Sequence, residues 1–330
     1  MPDHPRAAIT GLGAAVPQRV MTNDDFAKFL DTSDEWIAQR TGIRQRRIAG
    51  EGETPSSLGT AAAKMALEQA GIAPGDLDLI ICATISPDMI FPATACLIQS
   101  NLGISGVPAF DISAACSGFI YALTVGSQFI ETGRYKRVLV IGAETLSRFS
   151  DFTDRTSCIL FGDAAGAAVL EATHEEGRGL LYSILQAEGS GWDFIHVPDG
   201  GSARPASHET VDRKGHFLKM RGRDVYKFAV EKMQWLLNDC MDHCGLTAAD
   251  VDMVVPHQVN LRIISSATEK CGFPIEKVYI NIDRYGNSSA ASIPLAMHEA
   301  WAEGKIRRGS RVLLVAFGAG LTWAGGVVRM

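Results

Sequence analysis

Gly71-Ile72-Ala73-Pro74-Gly75-Asp76-Leu77-Asp78 and Gly245-Leu246-Thr247-Ala248-Ala249-Asp250-Val251-Asp252 are one phrase written twice, with the Gly and both Asp kept in place across a shift of 174. The same shift lays Arg137-Val138-Leu139-Val140 on Arg311-Val312-Leu313-Leu314. Two well-separated points sharing one offset mark an internal repeat, and a repeat decides the architecture before any motif does. Each copy reads as an amphipathic helix ending at a Gly, a strand after Asp-x-Asp, then helix, strand and helix, and an Arg-Val-Leu strand. The chain is therefore predicted to be a duplicated α/β fold. Residues 1–174 form the first half and residues 175–330 the second, with the junction near 170–178, where His174-Glu175-Glu176-Gly177 interrupts the pattern.

The predicted strands Leu79-Ile80-Ile81, Val251 to Val255 and Val278-Tyr279-Ile280 are almost wholly apolar. Strands covered on both faces read this way, which predicts mainly parallel sheets with helices on each side. Glu188 to Gly215, rich in Gly, Ser, Asp and Pro, has no clear period and reads as a surface excursion of the second half.

Composition narrows the function classes. The chain has 330 residues, 46% hydrophobic and 21% charged, and a chain of this length buries roughly 75% of its unfolded surface. Disorder and fibre are excluded. Thirty-one basic against 37 acidic residues, a formal charge of −6 without long runs, argues against nucleic acid as a partner. The longest apolar runs, such as Val138 to Ile141 and Val312 to Phe317, are far below the ~20 residues of a membrane span. Met1-Pro2-Asp3-His4-Pro5-Arg6 lacks the layout of a secretory signal, so the mature protein is expected to start near Met1. Seven widely spaced cysteines without a C-x-x-C pair predict neither zinc nor disulfides and favour a cytoplasmic setting; Cys240 and Cys244 read as packing residues.

Three segments carry candidate chemistry. Val107 to Ile112 reads as a buried strand, and Phe119, Ile120, Leu123 and Ile130 recur at helical spacing from about Ser117 to Gly133. Cys116 falls at the strand-to-helix turn, where unpaired N–H groups and the helix dipole would shift a thiol toward thiolate. A packed, inert cysteine is the competing reading. Pro256-His257-Gln258-Val259-Asn260 places His257 at the carboxyl end of a strand, the edge where open α/β sheets bind ligands. Tyr285-Gly286-Asn287-Ser288-Ser289-Ala290-Ala291 repeats the small-residue turn: Cys116 shifted by 174 lands on Ala290, three residues past Asn287. Asn287 thus stands nearly at the pseudo-symmetric place of Cys116, although Asn before a helix also serves as a cap. Ala316-Phe317-Gly318-Ala319-Gly320 follows the last repeat strand, where glycines permit a backbone N–H to face an oxyanion or simply make a tight turn. Gly11-Leu12-Gly13 lacks the third glycine of a dinucleotide fingerprint.

The strings DISAACSGF (111–119), FGDAAGAAVL (161–170), VVPHQVN (254–260), YGNSSAASIP (285–294) and AFGAGLTW (316–323) resemble the β-ketoacyl-acyl carrier protein synthase III family, thiolase-fold condensing enzymes that start fatty-acid biosynthesis. The resemblance spans essentially the whole chain. It implies a five-layer αβαβα sandwich and a homodimer. It implies further that Cys116 takes an acyl group from a short acyl-CoA, acetyl-CoA first, and that malonyl-acyl carrier protein (malonyl-ACP) then loses CO2 and condenses with it. His257 and Asn287 would donate to the malonyl thioester oxygen, and the backbone N–H groups of Cys116 and Ala319 to the acyl oxygen. Acyl-CoA is a substrate, so no cofactor and no metal is implied.

By the same resemblance Trp36 and Arg155 would sandwich the CoA adenine, Arg40 would approach its phosphates, and Asn260 would order the hydrogen bonds near the site. Taken alone, Trp36 reads as a buried anchor. Arg223, Lys227 and Arg262 would form a basic patch for the acidic carrier protein, local charge outweighing the negative total; basic residues on a helix are also ordinary solvated surface. Phe91 matches a position that reaches into the partner subunit's acyl pocket, and Phe317 lines the same pocket. Several readings compete. A thiolase would need a second cysteine near Phe317-Gly318-Ala319-Gly320, and elongating synthases carry His in place of Asn287. A papain-like hydrolase also uses Cys, His and Asn in that order. The last is a related acyltransferase or condensing enzyme of secondary metabolism.

Overall fold

The computed structural model describes residues 4–330, so the expected start near Met1 lies outside the described residues. Two sheets organise the chain. The first runs, in spatial order, Arg6–Ala15, Asp163–Thr173, Arg137–Thr145, Leu79–Ala83 and Ala109–Ile112. The second runs Met253–Pro256, Arg311–Gly318, Thr322–Arg329 and Gly179–Ala187. Every strand of the first sheet precedes residue 174 and every strand of the second follows residue 178.

The repeated Asp-x-Asp phrase has a structural cause. Gly71 and Gly245 each close a helix, Pro55–Ala70 and Gly222–Cys244, in the left-handed conformation, with φ of 71° and 61°. Asp76 accepts the Ala73 N–H at 2.9 Å, as Asp250 accepts that of Thr247 at 2.8 Å. Asp78 Oδ2 then accepts the Arg137 N–H at 2.9 Å and Asp252 Oδ2 the Arg311 N–H at 2.7 Å, tying each phrase to its own Arg-Val-Leu strand. Both copies conserve a helix stop, a turn and a strand pairing in the same three carboxyl-and-glycine positions.

The sheets are mixed rather than mainly parallel, which corrects the expectation. Leu79–Ala83 is parallel to both its neighbours and Met253–Pro256 to Arg311–Gly318, but the remaining pairs are antiparallel. Apolar strands report that both faces are covered, and coverage does not fix direction. Val278-Tyr279-Ile280 is likewise an extended segment touching Val254 at one bridge, not a regular strand. The Glu188–Gly215 stretch is largely exposed and contains a 3-10 turn, Gly189–Gly191, a two-residue strand, Ile195–His196, and a short α-helix, His208–Asp212, capped by Ser207.

Coverage comes from three helical layers. Helices Gly118–Glu131 and Ser292–Ala302 lie between the sheets, where Phe119, Ile120 and Leu123 join Ile293, Ala296 and Met297 in one core with residues of both sheets. Pro55–Ala70 and Thr94–Asn101 cover the outer face of the first sheet. Gly222–Cys244 and Leu261–Lys270 cover that of the second. The result is the expected αβαβα sandwich, and the two central helices start at the turns that carry Cys116 and Asn287. Among the described residues no helix is long and apolar enough to cross a membrane, no His/Cys/Asp/Glu group is suited to a metal, and the seven cysteines are all free.

Candidate active site

Cys116 sits in a single 3-10 turn, Ala115–Ser117, between the Ala109–Ile112 strand and the central helix Gly118–Glu131. Ala115 bears the cost of the sharp entry, with φ of +46°. A Cβ at Gly318 would stand 2.6 Å from the Cys116 backbone nitrogen, so the glycine is what lets the last repeat strand pass directly beside the nucleophile turn. Ala319 follows without a left-handed φ; among the described residues only Ala115, Lys214 and Ser289 adopt one without being glycine.

The turn at Asn287 is built in the same way. A 3-10 turn, Ser289–Ala291, leads into the other central helix, Ser292–Ala302. Asn287 is anchored by its backbone to the Phe161 segment: its N–H donates to Leu160 O at 2.8 Å and its carbonyl accepts the Gly162 N–H at 3.0 Å. Its side-chain Oδ1 accepts the Ser289 N–H at 2.9 Å. That commitment orients the amide and leaves Nδ2 as the donor for a ligand.

His257 is fully buried at the end of Met253–Pro256, held by its N–H to Val315 O at 2.8 Å. Nδ1 lies 2.8 Å from Ser292 Oγ, and the same oxygen accepts the Gln258 N–H at 3.4 Å. Nδ1 is the one acceptor recorded for the hydrogen of the Ser292 hydroxyl, and a hydroxyl donating there puts the ring hydrogen on Nε2. Nε2 is buried and unpaired in the protein. Burial pulls the imidazole down to about 3, so the ring is a neutral donor at physiological pH.

Cys116, His257, Asn287 and Ala319 line one cavity, whose remaining wall is apolar and includes Ile85, Leu146, Phe161, Leu218, Phe228 and Phe317. Side chains from distant segments thus converge, and the walls suit an acyl chain. One expectation fails here. The helix start was to shift the Cys116 thiol toward thiolate, but burial pushes it up to about 12, and the Ser289 hydroxyl is the largest opposing influence. Desolvation of a charged sulfur outweighs what the helix end provides.

Trp36 is half-buried rather than a core anchor, and it joins two guanidinium groups: Arg40 lies over its ring at 4.2 Å and Arg155 at 5.2 Å. Arg155 is also bonded to the exposed Asp31. A flat base inserted between the two would need two contact distances of about 3.5 Å, more than the 5.2 Å that separates Arg155 from the ring. Asn260 is outside the cavity wall. Its Nδ2 donates to Arg40 O at 2.9 Å and its Oδ1 caps helix Leu261–Lys270, which makes it a brace between that helix and the Trp36 platform.

Arg223 and Lys227 are exposed one turn apart on helix Gly222–Cys244, and Arg262 is exposed at the start of the helix packed beside it. Phe91 is 82% exposed and Ile90 84%, on a loop away from the cavity wall of their own chain. Sequence reasoning missed Ser289, Ser292 and Glu144. The first two sit inside the YGNSSAASIP string, and the 174 shift pairs Ala115 with Ser289 and Gly118 with Ser292. Glu144 is a fully buried carboxylate on Arg137–Thr145, with no signal beyond being charged at the end of an apolar strand.

Comparison with known proteins agrees with this architecture. Residues 110–189 match the family 3-oxoacyl-[acyl-carrier-protein] synthase III, and residues 241–330 match its C-terminal counterpart. The β-ketoacyl-[acyl-carrier-protein] synthase III of Caldanaerobacter subterraneus is 52% identical over 323 residues, 98% of this chain and 97% of that protein. The crystal structure of the Aquifex aeolicus 3-oxoacyl-[acyl-carrier-protein] synthase III superposes with a TM-score of 0.91 at 47% identity, covering 98% of this chain and 100% of the other. The priming β-ketosynthase of the R1128 polyketide pathway superposes equally well, TM-score 0.91, at 33% identity, covering 99% and 97%. The chain belongs to the 3-oxoacyl-[acyl-carrier-protein] synthase III family of thiolase-fold, acyl-transferring condensing enzymes.

Proposed function

We propose that this enzyme primes fatty-acid synthesis by condensing a short acyl group, acetyl first, with malonyl-ACP. The carrying observation is the pair of unused donors, His257 Nε2 and Asn287 Nδ2, on the wall of the apolar cavity that holds the Cys116 sulfur. The sulfur attacks the acyl-CoA thioester carbonyl, the C–S bond to CoA breaks, and an acyl-cysteine remains. Malonyl-ACP then loses CO2, and the electron pair of the broken C–C bond becomes an enolate. Because decarboxylation creates that enolate directly, no base has to remove a carbon-bound proton. Neutral donors suffice, each contributing roughly 2.7–4 kcal/mol when well placed. The carbanion attacks the acyl-cysteine, whose oxygen is held by the N–H groups of Cys116 and Ala319, and 3-ketoacyl-ACP leaves.

Trp36, Arg40 and Arg155 suit the adenine and phosphates of CoA, with Asn260 bracing Arg40. Arg223, Lys227 and Arg262 suit an acidic carrier surface. A homodimer is supported by Ile90 and Phe91, two large apolar side chains standing out of one loop; the Phe91 ring, inserted in a partner's pocket, would favour acetyl over longer primers. We assign the enzyme no cofactor, and a cytoplasmic location accords with seven free cysteines. A specialised condensing role is the second reading, favoured by the likeness to the R1128 priming ketosynthase.

Intact-mass analysis tests the proposal. Acetyl-CoA should add one acetyl group on Cys116, and malonyl-ACP should then remove it as acetoacetyl-ACP forms. No labelling, or release of free acetate in place of the condensation product, would reject it. His257→Ala and Asn287→Ala should slow malonyl decarboxylation at least tenfold more than acyl loading; equal loss in both steps would contradict the assigned roles.

A further inference from the structure

The Cys116 thiol must lose a proton as it attacks, and the neutral donor state of His257 leaves that proton unassigned. The turn that carries Ser289 packs against the turn that carries Cys116. The Ser289 hydroxyl is the largest stabilising influence on a Cys116 thiolate. The same hydroxyl donates to Glu144 Oε1 at 2.9 Å. Glu144 is wholly buried, and its remaining bonds come from Ser86 Oγ at 2.5 Å, Thr84 Oγ1 at 3.3 Å and the Ile85 N–H at 3.2 Å. These are hydroxyls and an amide, not cations.

The backbone holds the path in place. A Cβ at Gly142 would meet Ala290 O at 2.3 Å, so the strand that bears Glu144 lies directly against the Ser289 turn. Ser289 keeps a left-handed φ of +49° there, a conformation unfavourable for serine by about 1–2 kcal/mol.

We propose that Ser289 and Glu144 form a proton relay for Cys116, with Glu144 a positioning residue that holds the thiol's proton while the acyl-enzyme exists. Ser289 has one hydrogen. With Glu144 ionised it points to the carboxylate, and Ser289 can accept from the thiol; with Glu144 protonated it is free to point at the sulfur. During acylation the Cys116 S–H bond breaks and its proton passes to Ser289 Oγ while the Ser289 proton passes to Glu144. The sulfur takes the acyl carbon, and the departing CoA thiolate takes a proton from water. During condensation the Cys116 sulfur leaves the acyl carbon with the electron pair and recovers its proton from Glu144 through Ser289. One proton is consumed overall, as decarboxylative condensation requires.

Glu144 is suited to this exchange because burial pushes its carboxyl up to about 7, against the four hydrogen bonds that favour its charge. Two thiols among the described residues feel its charge: Cys82, pushed up by burial and then by Asp111, Glu144 and Asp88, and Cys116, pushed up by burial and then by Glu144. Transfer concerted with attack means that a free thiolate need not accumulate.

This inference rests on Cys116 as the acylated nucleophile, and the test separates the two. The rate of Cys116 alkylation by iodoacetamide and the single-turnover acetylation rate are measured from pH 5.5 to 10 for the wild type, Glu144→Gln and Ser289→Ala. Wild type should show a rising limb near pH 7. Both variants should lose that limb, keep only the rise at high pH, and acetylate about 10²-fold more slowly at pH 7. Glu144→Asp should restore part of the limb. Glutamine keeps the shape and one acceptor oxygen but sets an NH2 donor among groups that all donate, so Glu144→Asp, which stays acceptor-only, and Ser289→Ala give the readout if the glutamine impairs folding. A purely structural carboxylate would leave the limb in place in every variant that folds. Variants that retain the limb and acetylate within threefold of wild type overturn the relay while Cys116 stands. A wild-type enzyme that is never acetylated on Cys116 overturns both.

Discussion

Ala115 and Ser289, separated by the repeat shift of 174, are both non-glycine residues in the left-handed region, with φ of +46° and +49°. Each opens a 3-10 turn, and each turn leads into one of the two central helices. The duplication has therefore preserved a strained entry twice and given it different chemistry: the first copy presents a sulfur at the next residue, the second a hydroxyl at the strained residue itself. Two turns packed against each other at the seam of the halves bring side chains far apart in sequence to one cavity. Strain of this kind persists only where the surroundings over-determine it.

Gly318 is the surroundings' tightest point. A methyl group there would lie 2.6 Å from the Cys116 nitrogen and 3.0 Å from Ala115 Cβ, against a backbone that has no flexible end to give way. Gly318→Ala should destabilise the fold by about 1–3 kcal/mol and slow acetylation of Cys116 at least tenfold, because the displaced nitrogen is the proposed acyl-oxygen donor. Chemical denaturation and single-turnover loading read the two effects. A variant that loads at the wild-type rate would show that this contact does not set the position of the turn.

How much of this was legible in the sequence follows from what kind of constraint each residue obeys. The repeat was legible because Gly71, Asp76 and Asp78 and their counterparts are required by local backbone geometry, and local requirements leave residue-level marks. Cys116, His257 and Asn287 were legible because their strings resemble a family. Strand direction was not, since two-sided burial makes parallel and antiparallel strands equally apolar. Nor was the Cys116 titration: a helix start is visible in a sequence, whereas the desolvation that outweighs it comes from burial in a cavity whose walls, Ile85, Leu146, Phe161 and Leu218 among them, no spacing connects to residue 116. Glu144 escaped for the same reason, its partners being Ser86 and Ser289, 58 and 145 residues away.

Trp36 tests the CoA assignment. Its ring lies under Arg40 at 4.2 Å and Arg155 at 5.2 Å, a platform on the protein surface away from the sulfur's cavity wall. Trp36→Ala should raise KM for acetyl-CoA roughly tenfold, the loss of a stacked aromatic of about 1–3 kcal/mol, and leave kcat within threefold. Loading from a short acyl thioester that lacks the nucleotide should be unchanged. An equal loss with both donors would place the effect in the fold of helix Asp34–Thr41 and not in recognition of the base.

His257 gives a stability prediction with a definite sign. Its imidazole is held at about 3 when folded, against 6.5 for the free side chain. Between those values the unfolded chain binds a proton that the native protein refuses, so folding loses stability as pH falls through 6.5 toward 3. The loss is at most about 1.4 kcal/mol per pH unit. Glu144, pushed the other way, contributes with opposite sign as pH falls from about 7, so total stability conceals both. The comparison with His257→Asn removes the shared contribution. Unfolding free energies of wild type and variant, measured by denaturant titration from pH 7.5 to 4.5, should stay a constant distance apart above pH 7. Below 6.5 wild type should fall faster, and the gap should move in the variant's favour with each unit. Parallel curves down to pH 4.5 would mean that the ring takes its proton in the folded state. A protonated His257 would be a cation, and the neutral-donor account of decarboxylation would have to be replaced.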